Sequence, residues 1–582
     1  MITAQFSNLI PRFLHPVLGI DQMERSYVEL QSLGTTRPFT ERLLDHLQVT
    51  YRVAERDLAQ IPRKGSTVVV VNHPYGILEG AVLATILPRI RPDTRFMANR
   101  ILSALPEMRD LLVSVDVMGG ESAARGNRAG LRQSIEHLEN GGLLVVFPAG
   151  DVSHFQWRRG TVTDSQWSPT IARMIEIAAR RGSAVRIVPA FVEGSNSFLF
   201  HAAGSLHSLL RTALLARELF NKRNSRVEVR IGSPIEGEKL LSIPTPEERM
   251  DYLRWRTYLL SKRNQYKTDT KRFVSMSRAR TSEPIAAAVL PELLTRDVAA
   301  LGLAAKLAES GALEAYIARA EQIPNVLTEI GRLRELTFRA AGEGTGRAVD
   351  LDRFDSHYLQ LFLWNREKQE VVGSYRLSGV EVGVDGLYTA TLFHYGQAFL
   401  GKLGPALELG RSWIRVEYQK AFAPLLLLWK GIGQFIRSHP QYTTLFGAVS
   451  ISNQYHSVSR DLMVAFLERD ASLKDWTGLI ASTNPFRRRR HAARAEATPF
   501  DLEDLSQVVS DIEPSRAGVP VLLRQYLKLG GKLLGFSVDP EFSNALDGLI
   551  LVDLTRTEPK LLDRYLGKGA AVALRAGAQH AA

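Results

Sequence analysis

The chain of 582 residues is too long for a single hydrophobic core, which predicts at least two domains. It has no cysteine, so disulfides, thiolate metal sites and cysteine nucleophiles are excluded. The net charge of +12 predicts a partner rich in phosphates or carboxylates, such as an anionic membrane surface or an acidic carrier protein.

Nucleic acid is not expected as a partner, because no helix-turn-helix, zinc or RNP-type pattern accompanies the basic charge. No apolar stretch approaches the roughly 18 residues that a membrane span needs, and residues 1–20 lack the pattern of a signal peptide. We therefore expect a cytoplasmic protein that binds peripherally to the inner membrane. Leucines at helical spacing between residues 206 and 219 fit either an ordinary core helix or a membrane-facing helix.

The first half of the chain alternates apolar strand patterns with amphipathic helix patterns. The predicted helices cover residues 128–138 and 169–180, and the predicted strands cover residues 67–71, 143–147, 185–192 and 226–231. This alternation favours an α/β layer fold for the first domain, residues 1–280.

A polar, basic stretch at residues 262–284 ends this pattern and marks the domain boundary. Residues 281–325 are rich in alanine and leucine, which predicts a helical connector. Residues 326–582 form the second predicted domain, for which the strand patterns indicate a mixed sheet. Its predicted strands include residues 358–364, 371–377, 387–393, 444–450 and 549–552.

His73 is the first candidate catalytic residue, because it follows the apolar strand at residues 67–71. Open α/β sheets place their chemistry at the carboxyl ends of strands. Acyl transfer to a hydroxyl needs a base that titrates near neutral pH, and histidine meets this need. Glu79 can accept the proton on the far ring nitrogen and fix its tautomer. Taken alone, a histidine in such a turn more often makes a structural hydrogen bond.

Two further segments follow predicted strands in the same half. They read Phe-Pro-Ala-Gly-Asp-Val-Ser at residues 147–153 and Val-Pro-Ala-Phe-Val-Glu-Gly at residues 188–194. With the histidine segment, their order resembles the glycerolipid acyltransferase family, which has a histidine–carboxylate motif, an FPEG-like motif and a later V-P motif. The resemblance covers residues 66–234 and implies an O-acyltransferase domain in which His73 and Glu79 are catalytic.

The chain departs from this family at two positions. The family carboxylate lies five residues after the histidine, where this chain has Leu78. An extra turn residue at Gly76 would bring Glu79 to the expected place, because glycine tolerates unusual backbone angles. Ala149 replaces the carboxylate of the FPEG motif, which favours an acceptor other than glycerol phosphate.

The second motif implies where the acceptor binds in this domain. Asn127 and Arg128, which precede the strand at residues 143–147, are further candidates for contact with the acceptor, and a solvated helix start explains them equally well. The substrate-binding residues implied by the motif are Phe147, Pro148, Gly150, Asp151 and Ser153.

Charged residues cluster at two places in the second half. Asp352 and Asp355 belong to the segment Asp-Leu-Asp-Arg-Phe-Asp, which forms either a site for an ammonium group or a solvated turn. Glu408 and Arg411 follow another strand pattern. A carboxylate there can deprotonate an amine, and an arginine can hold a carbonyl or carboxylate, although a surface ion pair fits the spacing equally well.

The second half resembles the N-acyltransferases of ornithine lipid synthesis, relatives of the acyl-homoserine-lactone synthases on the GNAT fold. The matching sequences are D-x-D-x-x-D, V-G-S-Y-R-L, E-L-G-R-S, L-L-W-K-G-I and L-F-G-A-V-S-I-S. Over residues 329–567 the resemblance implies a GNAT-like mixed-sheet domain that transfers an acyl group, often 3-hydroxylated, to an α-amine. It implies that Glu408 and Arg411 are catalytic and that Asp352, Asp355 and Arg376 bind substrate.

The acyl donor is predicted from what residues 411–426 lack. Ordinary GNAT enzymes hold the pyrophosphate of coenzyme A in a glycine-rich loop at a helix start, and this stretch has no such loop. This absence and the basic charge favour acyl carrier protein, with its phosphopantetheine thioester, as the donor. No other cofactor and no metal are expected.

As a whole, the chain resembles the fused, bifunctional ornithine lipid synthases. The resemblance implies that the second domain acylates L-ornithine and that the first then acylates the lyso-ornithine lipid, with the tether raising the local concentration of the intermediate. Lysine, glutamine or glycine remains open as the amino acid. Two other interpretations also remain: a lysophospholipid acyltransferase of the 1-acylglycerol-3-phosphate type with an accessory GNAT-like module, and a non-enzymatic membrane or nucleic-acid binder.

Overall fold

The chain divides into two compact units. A computed structural model describes residues 15–32, 36–100, 102, 105–115, 121–157, 160–206, 208–264, 282–421, 423–476, 478–488, 499–566 and 574. The first unit comprises Met1–Tyr266, Arg494–Pro499 and Ser510–Arg516. The second comprises Lys267–Ala493, Phe500–Val509 and Ala517–Ala582. Most of the predicted boundary stretch, residues 265–281, lies outside the described residues.

An eight-stranded sheet forms the centre of the first unit. The strands of this unit are β1 (Thr50–Val53), β2 (Thr67–Val71), β3 (Thr94–Asn99), β4 (Leu112–Val115), β5 (Leu143–Val146), β6 (His154–Gln156), β7 (Thr161–Thr163), β8 (Arg186–Glu193), β9 (Arg226–Ile231) and β10 (Ile235–Glu236). The sheet order is β1-β9-β8-β2-β5-β3-β4, and β10 pairs with β8. β6 and β7 form a separate hairpin.

β2 lies inside this sheet because its side chains are apolar on both faces. Val69 and Val71 pack into the core on one face, and Val68 and Val70 pack into the core on the other. A continuous β-branched run of this kind is typical of a parallel strand covered on both sides. Because β2 is parallel to β5 and β8, the three carboxyl ends meet at one edge of the sheet.

Helices cover both faces of this sheet. They are α1 (His15–Leu18), α2 (Ile20–Ser32), α3 (Phe39–His46), α4 (Glu55–Leu58), α5 (Leu78–Ile90), α6 (Glu121–Glu139), α7 (Pro169–Arg180), α8 (Phe198–Leu206), α9 (Ser208–Asn221), α10 (Gly237–Leu241) and α11 (Pro246–Leu259). The leucine pattern predicted at residues 206–219 falls largely on α9, where Leu214 and Leu219 are buried in the core. No helix in the described residues is long and apolar enough to cross a membrane.

A second eight-stranded sheet, in the order β11-β12-β13-β14-β16-β17-β20-β19, forms the centre of the second unit. The strands of this unit are β11 (Lys306–Ser310), β12 (Leu313–Ala318), β13 (Leu359–Asn365), β14 (Glu370–Gly379), β15 (Phe393–Tyr395), β16 (Ala406–Ile414), β17 (Thr444–Ile451), β18 (Ile480–Ser482), β19 (Lys532–Asp539) and β20 (Ala545–Asp553). The β16–β17 pair is parallel and the other pairs of the sheet are antiparallel, which is the predicted mixed sheet.

Helices also cover both faces of the second sheet. They are α12 (Pro291–Ala299), α13 (Pro324–Ala340), α14 (Phe399–Leu403), α15 (Ala423–Ser438), α16 (Ser457–Asp470), α17 (Leu502–Ile512), α18 (Val521–Lys528) and α19 (Pro559–Leu566). α13 packs on the face that presents Phe362 and Trp413. α15 packs on the opposite face, where Gly431 lies against Leu361.

The prediction of a helical connector at residues 281–325 is wrong for most of that range. In the described part of this range, α12 and the first two residues of α13 are α-helical, and β11 and β12 lie between them as two strands of the second sheet. Helix propensity is a weak signal that pairing with a neighbouring strand overrides. The strand predicted at residues 387–393 is also largely wrong, because a 3₁₀ helix covers Tyr388–Thr391 and β15 begins only at Phe393.

Candidate active sites

His73 lies two residues beyond β2, at the edge where β2, β5 and β8 end. Its Nδ1 atom is 2.9 Å from Oε1 of Glu79, and its side chain is 17% exposed. The ring of Phe147, which follows β5, packs against the imidazole with the ring centroids 4.5 Å apart. Because the carboxylate faces Nδ1, the Nε2 atom is the nitrogen left for proton transfer.

Glu79 reaches His73 because the chain turns tightly before α5. Oε1 of Glu79 accepts hydrogen bonds from the backbone N–H groups of Tyr75 and Gly76, each at 2.9 Å. Gly76 has φ +94°, which disfavours any residue with a side chain. A Cβ atom there would also lie 2.7 Å from Leu215. The turn at Gly76 therefore brings Glu79 against the histidine, and whether Gly76 is an extra residue relative to the family spacing stays a prediction.

The environment of this pair shifts both pKa values. Burial lowers the pKa of His73, but the carboxylates of Glu79, Asp164 and Asp151, with Glu79 contributing most, together raise it above the usual value. Burial raises the pKa of Glu79, and the contacts with His73 and the two backbone N–H groups reverse that shift and hold it below the usual value. Glu79 thus stays ionised and favours the imidazolium form that a general base must pass through.

Asp164 completes the frame around His73 and was not predicted from the sequence. Its Oδ1 atom accepts the backbone N–H of His73 at 3.2 Å and the hydroxyl of Ser153, and its Oδ2 atom accepts the indole N–H of Trp167 at 2.9 Å. The Ser153 N–H donates to the His73 carbonyl at 2.7 Å. Ser153 therefore holds the histidine turn in place. No local pattern marks a lone aspartate 91 residues away as its partner.

The rest of the predicted acceptor segment forms a turn beside the histidine. Gly150, at φ +64°, donates its N–H to the Phe147 carbonyl at 3.0 Å, and the Pro148 carbonyl accepts the N–H of Ser168. Asp151 makes an ion pair with Arg211 of α9, a residue that the sequence did not assign to the site. The turn thus places one carboxylate–guanidinium pair near His73.

The two residues predicted on α6 lie apart from this arrangement. Asn127 is half-buried and Arg128 is exposed. Neither is among the residues that contact His73 or Glu79. Their predicted contact with an acceptor stays a prediction.

In the second unit, β16 carries a bulge at the site predicted from Glu408 and Arg411. The ladder with β14 shifts register between Ser374 and Arg376, and Arg411 has φ +48°. β16 and β17 are paired only as far as Glu408 and Phe446, although both strands continue beyond these residues. Bulges commonly re-aim side chains beside active sites.

Glu408 lies where the two strands separate and is 1% exposed. Its Oε2 atom accepts the hydroxyl of Tyr358 and the backbone N–H of Tyr388 at 3.1 Å, and its Oε1 atom accepts the N–H of Thr389 at 2.8 Å. Burial raises the pKa of Glu408, against the lowering effect of these hydrogen bonds. A carboxyl with a raised pKa is suited to general base chemistry near neutral pH.

Asp355 and Arg376 form a buried ion network. Arg376 is fully buried, with its Nη1 atom 2.7 Å from Asp352 and 3.3 Å from Asp355. Arg334 contacts the other oxygen of Asp355 at 2.7 Å. Burial raises the pKa of Asp355, but both arginines outweigh it and hold the pKa well below its usual range. The segment is therefore not a solvated turn, and the oxygens of Asp355 are occupied by protein groups.

Arg411 differs from this network because its guanidinium donates no hydrogen bond within the described part of the chain. Its side chain is 10% exposed, with Nε 3.5 Å from Asp350 and Nη2 3.7 Å from Asp352. The rings of Tyr388 and Phe542 lie 4.9 and 4.7 Å from it. The rings fix the guanidinium while leaving its donors available, an arrangement suited to a carboxylate or carbonyl group.

Comparisons with known proteins agree with this division of the chain. Residues 12–266 match a family described as acyltransferase, and residues 333–430 match the acetyltransferase (GNAT) domain. The chain is 33% identical over 260 residues to the glycine N(alpha)-acyltransferase of Bacteroides thetaiotaomicron, covering 41% of this chain and 76% of that protein.

Two further proteins match the chain in part. The lyso-glycine lipid O-acyltransferase of the same bacterium is 25% identical over 231 residues, which are 38% of this chain and 79% of that protein. The solved 1-acyl-sn-glycerophosphate acyltransferase of Thermotoga maritima matches with 18% identity and a TM-score of 0.22, covering 47% of this chain and 94% of that one.

The chain is therefore an acyltransferase, with an α/β acyltransferase domain followed by a GNAT domain that has a mixed sheet. The predicted fold class and the prediction of an acyltransferase enzyme are confirmed. At 33% identity over three quarters of the relative's length, the chain belongs to the family of the glycine N(alpha)-acyltransferase.

Proposed function

We propose that this chain makes a doubly acylated amino-acid lipid. The second unit acylates the α-amine of L-ornithine with a 3-hydroxyacyl group, and the first unit then acylates the hydroxyl of the resulting lyso-ornithine lipid. One observation carries this proposal: a histidine–carboxylate pair and a buried glutamate beside an available arginine lie in separate units of one chain. The similarity to a glycine N(alpha)-acyltransferase and a lyso-glycine lipid O-acyltransferase supports the same pair of reaction types.

In the ester-forming step, Nε2 of His73 takes the proton from the acceptor hydroxyl. The hydroxyl oxygen attacks the thioester carbon, a C–O bond forms and the carbonyl oxygen becomes an oxyanion. Collapse of this intermediate breaks the C–S bond, and the imidazolium returns the proton to the leaving thiolate. Glu79 stabilises the imidazolium and Asp164 holds the backbone of the histidine turn.

In the amide-forming step, Glu408 takes the proton that the α-ammonium group must lose. The free amine attacks the thioester carbon and a C–N bond forms. The C–S bond then breaks, and the second proton that the nitrogen loses passes to the leaving thiolate, which departs as the carrier thiol. Arg411 holds the carboxylate of the amino acid, since its guanidinium is fixed between two rings with its donors available. Asp352, Asp355 and Arg376 position Arg411 and the bulge.

The proposed acyl donor is acyl carrier protein. The lack of a glycine-rich loop in residues 411–426 and the net charge of +12 support a large acidic donor over free coenzyme A. Kinetics with the same acyl group on each carrier test this choice, and a preference for the carrier protein that weakens with salt is expected.

We also propose that the first unit works on the cytoplasmic surface of the inner membrane. Trp157, Phe198 and Leu199 are 77%, 87% and 47% exposed. Trp157 follows β6, and the other two begin α8, which packs against β6. We call these three residues the apolar patch. An exposed patch of aromatic and aliphatic side chains supports contact with lipid, where a singly acylated intermediate accumulates.

Lipid mass spectrometry of a bacterial host that makes no aminolipid tests the two steps separately. The intact chain should yield a doubly acylated ornithine lipid. His73→Ala should stop at the singly acylated form, and Glu408→Gln should yield neither form. Each variant serves as the control for the other, because each leaves the opposite unit unaltered.

Three results would contradict parts of this proposal. A doubly acylated lipid of another amino acid would overturn the choice of ornithine and keep both reaction types. A doubly acylated lipid from His73→Ala would overturn the ester-forming site. No acylated amino acid from the intact chain would overturn the amide step and favour acylation of a lysophospholipid, which conversion of 1-acylglycerol-3-phosphate by the purified chain would then reveal.

A further inference from the structure

A second group of carboxyls lies near Arg411 and takes no part in the chemistry above. Asp547 on β20 is 6% exposed and lies opposite Ser450 of β17. Glu343, which follows α13, is 8% exposed and accepts the Ser450 hydroxyl at 2.9 Å. Asp539 ends β19 and accepts the hydroxyl of Tyr388 at 3.1 Å. Four separate elements therefore bring these groups into one buried cluster.

Among the described residues, the charge of Arg411 acts on this cluster but does not offset the effect of burial on Asp547 and Glu343. Burial raises the pKa of Asp547 well above its usual range, and the neighbouring Asp539 and Glu343 raise it further. Burial raises the pKa of Glu343 to about 7, against the Ser450 hydrogen bond and the charge of Arg411. Carboxyls buried together hold protons until a positive charge enters. The cluster is thus suited to receive one.

One member of the cluster is buried without a hydrogen-bond partner among the residues that the structure describes, the Nε atom of Arg411. Asp547, which is 6% exposed, lies in the same cluster. Arg411 lies close enough to Asp547 and Glu343 to lower the pKa of each. The guanidinium of Arg411 can bind the carboxylate of an amino acid, and the buried carboxyls beside it can bind a second ammonium group on the same molecule.

We propose that Asp547 and Glu343 bind the side-chain ammonium group of a diamino acid whose α-carboxylate is held by Arg411. This inference rests on the proposed amide-forming function of the second unit, and it assigns the residues that select the amino acid. Ornithine places an ammonium group beside Asp547, whereas glycine or norvaline leaves Asp547 and Glu343 without an ammonium group to bind. A buried polar group left unpaired costs binding energy, and this cost discriminates against the neutral amino acids.

Competition between L-ornithine and L-norvaline tests the assignment, because norvaline has the same chain length without the δ-amine. The full chain is supplied with 3-hydroxyacyl carrier protein, and both N-acyl products are quantified. The unaltered chain should favour ornithine by at least about tenfold in kcat/KM. Asp547→Asn should bring this ratio close to one by lowering kcat/KM for ornithine alone. Asp553→Asn, a carboxyl change near the end of the same strand, should leave the ratio unchanged.

The outcomes separate this inference from the function on which it rests. An equal loss for both amino acids in Asp547→Asn would overturn the selective role and indicate a structural one. Acylation of norvaline but not of ornithine by the unaltered chain would overturn the pocket and keep the amide step. Acylation of neither, nor of any other amino acid, would overturn the proposed function and this inference together.

A measurement on the unaltered chain covers the case in which Asp547→Asn does not fold. Ornithine binding should release protons from the cluster, because the incoming ammonium group lowers the pKa values of Asp547 and Glu343 in the presence of Asp539, Arg411 and Tyr388. Calorimetry in buffers of different ionisation enthalpy counts these protons. Greater release with ornithine than with norvaline is expected, and equal release would overturn the assignment.

Discussion

At the scale of single residues, the His73–Glu79 pair shows how one buried carboxylate raises the pKa of a catalytic base. Glu79 is fully buried, and it is ionised because two backbone N–H groups and the imidazole stabilise its charge. Its charge in turn raises the pKa of His73 against the effect of burial. The histidine can therefore accept a proton only above this raised pKa.

Replacing Glu79 should move the pH dependence of ester formation. In the unaltered chain the rate should fall as the pH falls through the raised pKa of His73. In Glu79→Gln burial dominates and the pKa of His73 drops, so the acid limb should move to lower pH while the plateau rate falls about 10²–10⁴-fold. The pH–rate profile with supplied lyso-ornithine lipid measures both effects.

Glu136→Gln is the matched control for this experiment. Glu136 is exposed on α6 and pairs only with Arg132 in the described ion pairs. Its replacement should leave both the acid limb and the plateau rate unchanged. An acid limb that does not move in Glu79→Gln would show that another group sets the pKa of the base.

The sequence predicts local parts of the two sites and misses the distant ones. His73, Gly76 and Glu79 lie within seven residues, and their contact follows from one strand and one turn. Asp164 and Asp547 could not be found in this way, because the contact between Asp164 and His73 spans 91 residues and Asp547 joins its cluster only when β20 pairs with β17. A carboxyl in an ordinary segment carries no local signal of such a role.

At the scale of elements, the close approach of β16 and β17 limits what can occupy Gly447. A Cβ atom at this position would lie 2.1 Å from the carbonyl oxygen of Leu409. The clash is with backbone, so neither strand can yield without disturbing the ladder. Gly447 therefore allows the two strands to stay close one residue beyond their last pair, Glu408 and Phe446, beside the proposed amide-forming site.

Gly447→Ala should weaken the second unit selectively. Overpacking of this kind costs about 1–3 kcal/mol, so the melting temperature of this unit and the amide-forming rate should both fall. Ester formation on supplied lyso-ornithine lipid should persist. Gly401→Ala on α14, where a Cβ atom meets nothing within 4 Å, is the control. Calorimetry gives the melting temperature and product analysis gives the amide-forming rate. Equal values of both in Gly447→Ala and Gly401→Ala would contradict the expectation.

The errors in predicting elements have a common physical cause. Residues 313–318 form strand β12, but their alanine and leucine content also fits a helix. Pairing of β12 with β13 decides between the two states, and that contact spans about 45 residues of sequence. The predicted strands at residues 67–71, 226–231 and 444–450 are found because β-branched and apolar runs leave no such ambiguity.

At the scale of the whole molecule, membrane binding is expected to depend on the apolar patch as well as on charge. The leucines of α9 are a poor guide to this surface, since Leu214 and Leu219 point into the core. Of the exposed residues, Trp157 follows the short strand β6 and Phe198 begins α8, so both lie outside the leucine pattern at residues 206–219. Their exposure follows from packing, which the sequence does not reveal.

A double variant with Trp157→Ser and Phe198→Ser should bind vesicles more weakly. Each large apolar side chain contributes about 1.5–3 kcal/mol when fully buried, so a loss of at least about tenfold in partitioning to anionic vesicles is expected. Leu303→Ser, at an equally exposed leucine of the second unit, is the control. Vesicle flotation measures the partitioning, and equal binding by all three proteins would contradict a role for the patch.

The position of β11 and β12 in the second sheet has a consequence for any attempt to divide this chain into two proteins. A second protein that began at residue 326 would lack both strands and leave the backbone groups of β13 exposed along one side. Exposed edges of this kind recruit other strands and lead to aggregation. If the second half is to be expressed as a separate, soluble protein, it must therefore start before Lys306, where β11 begins.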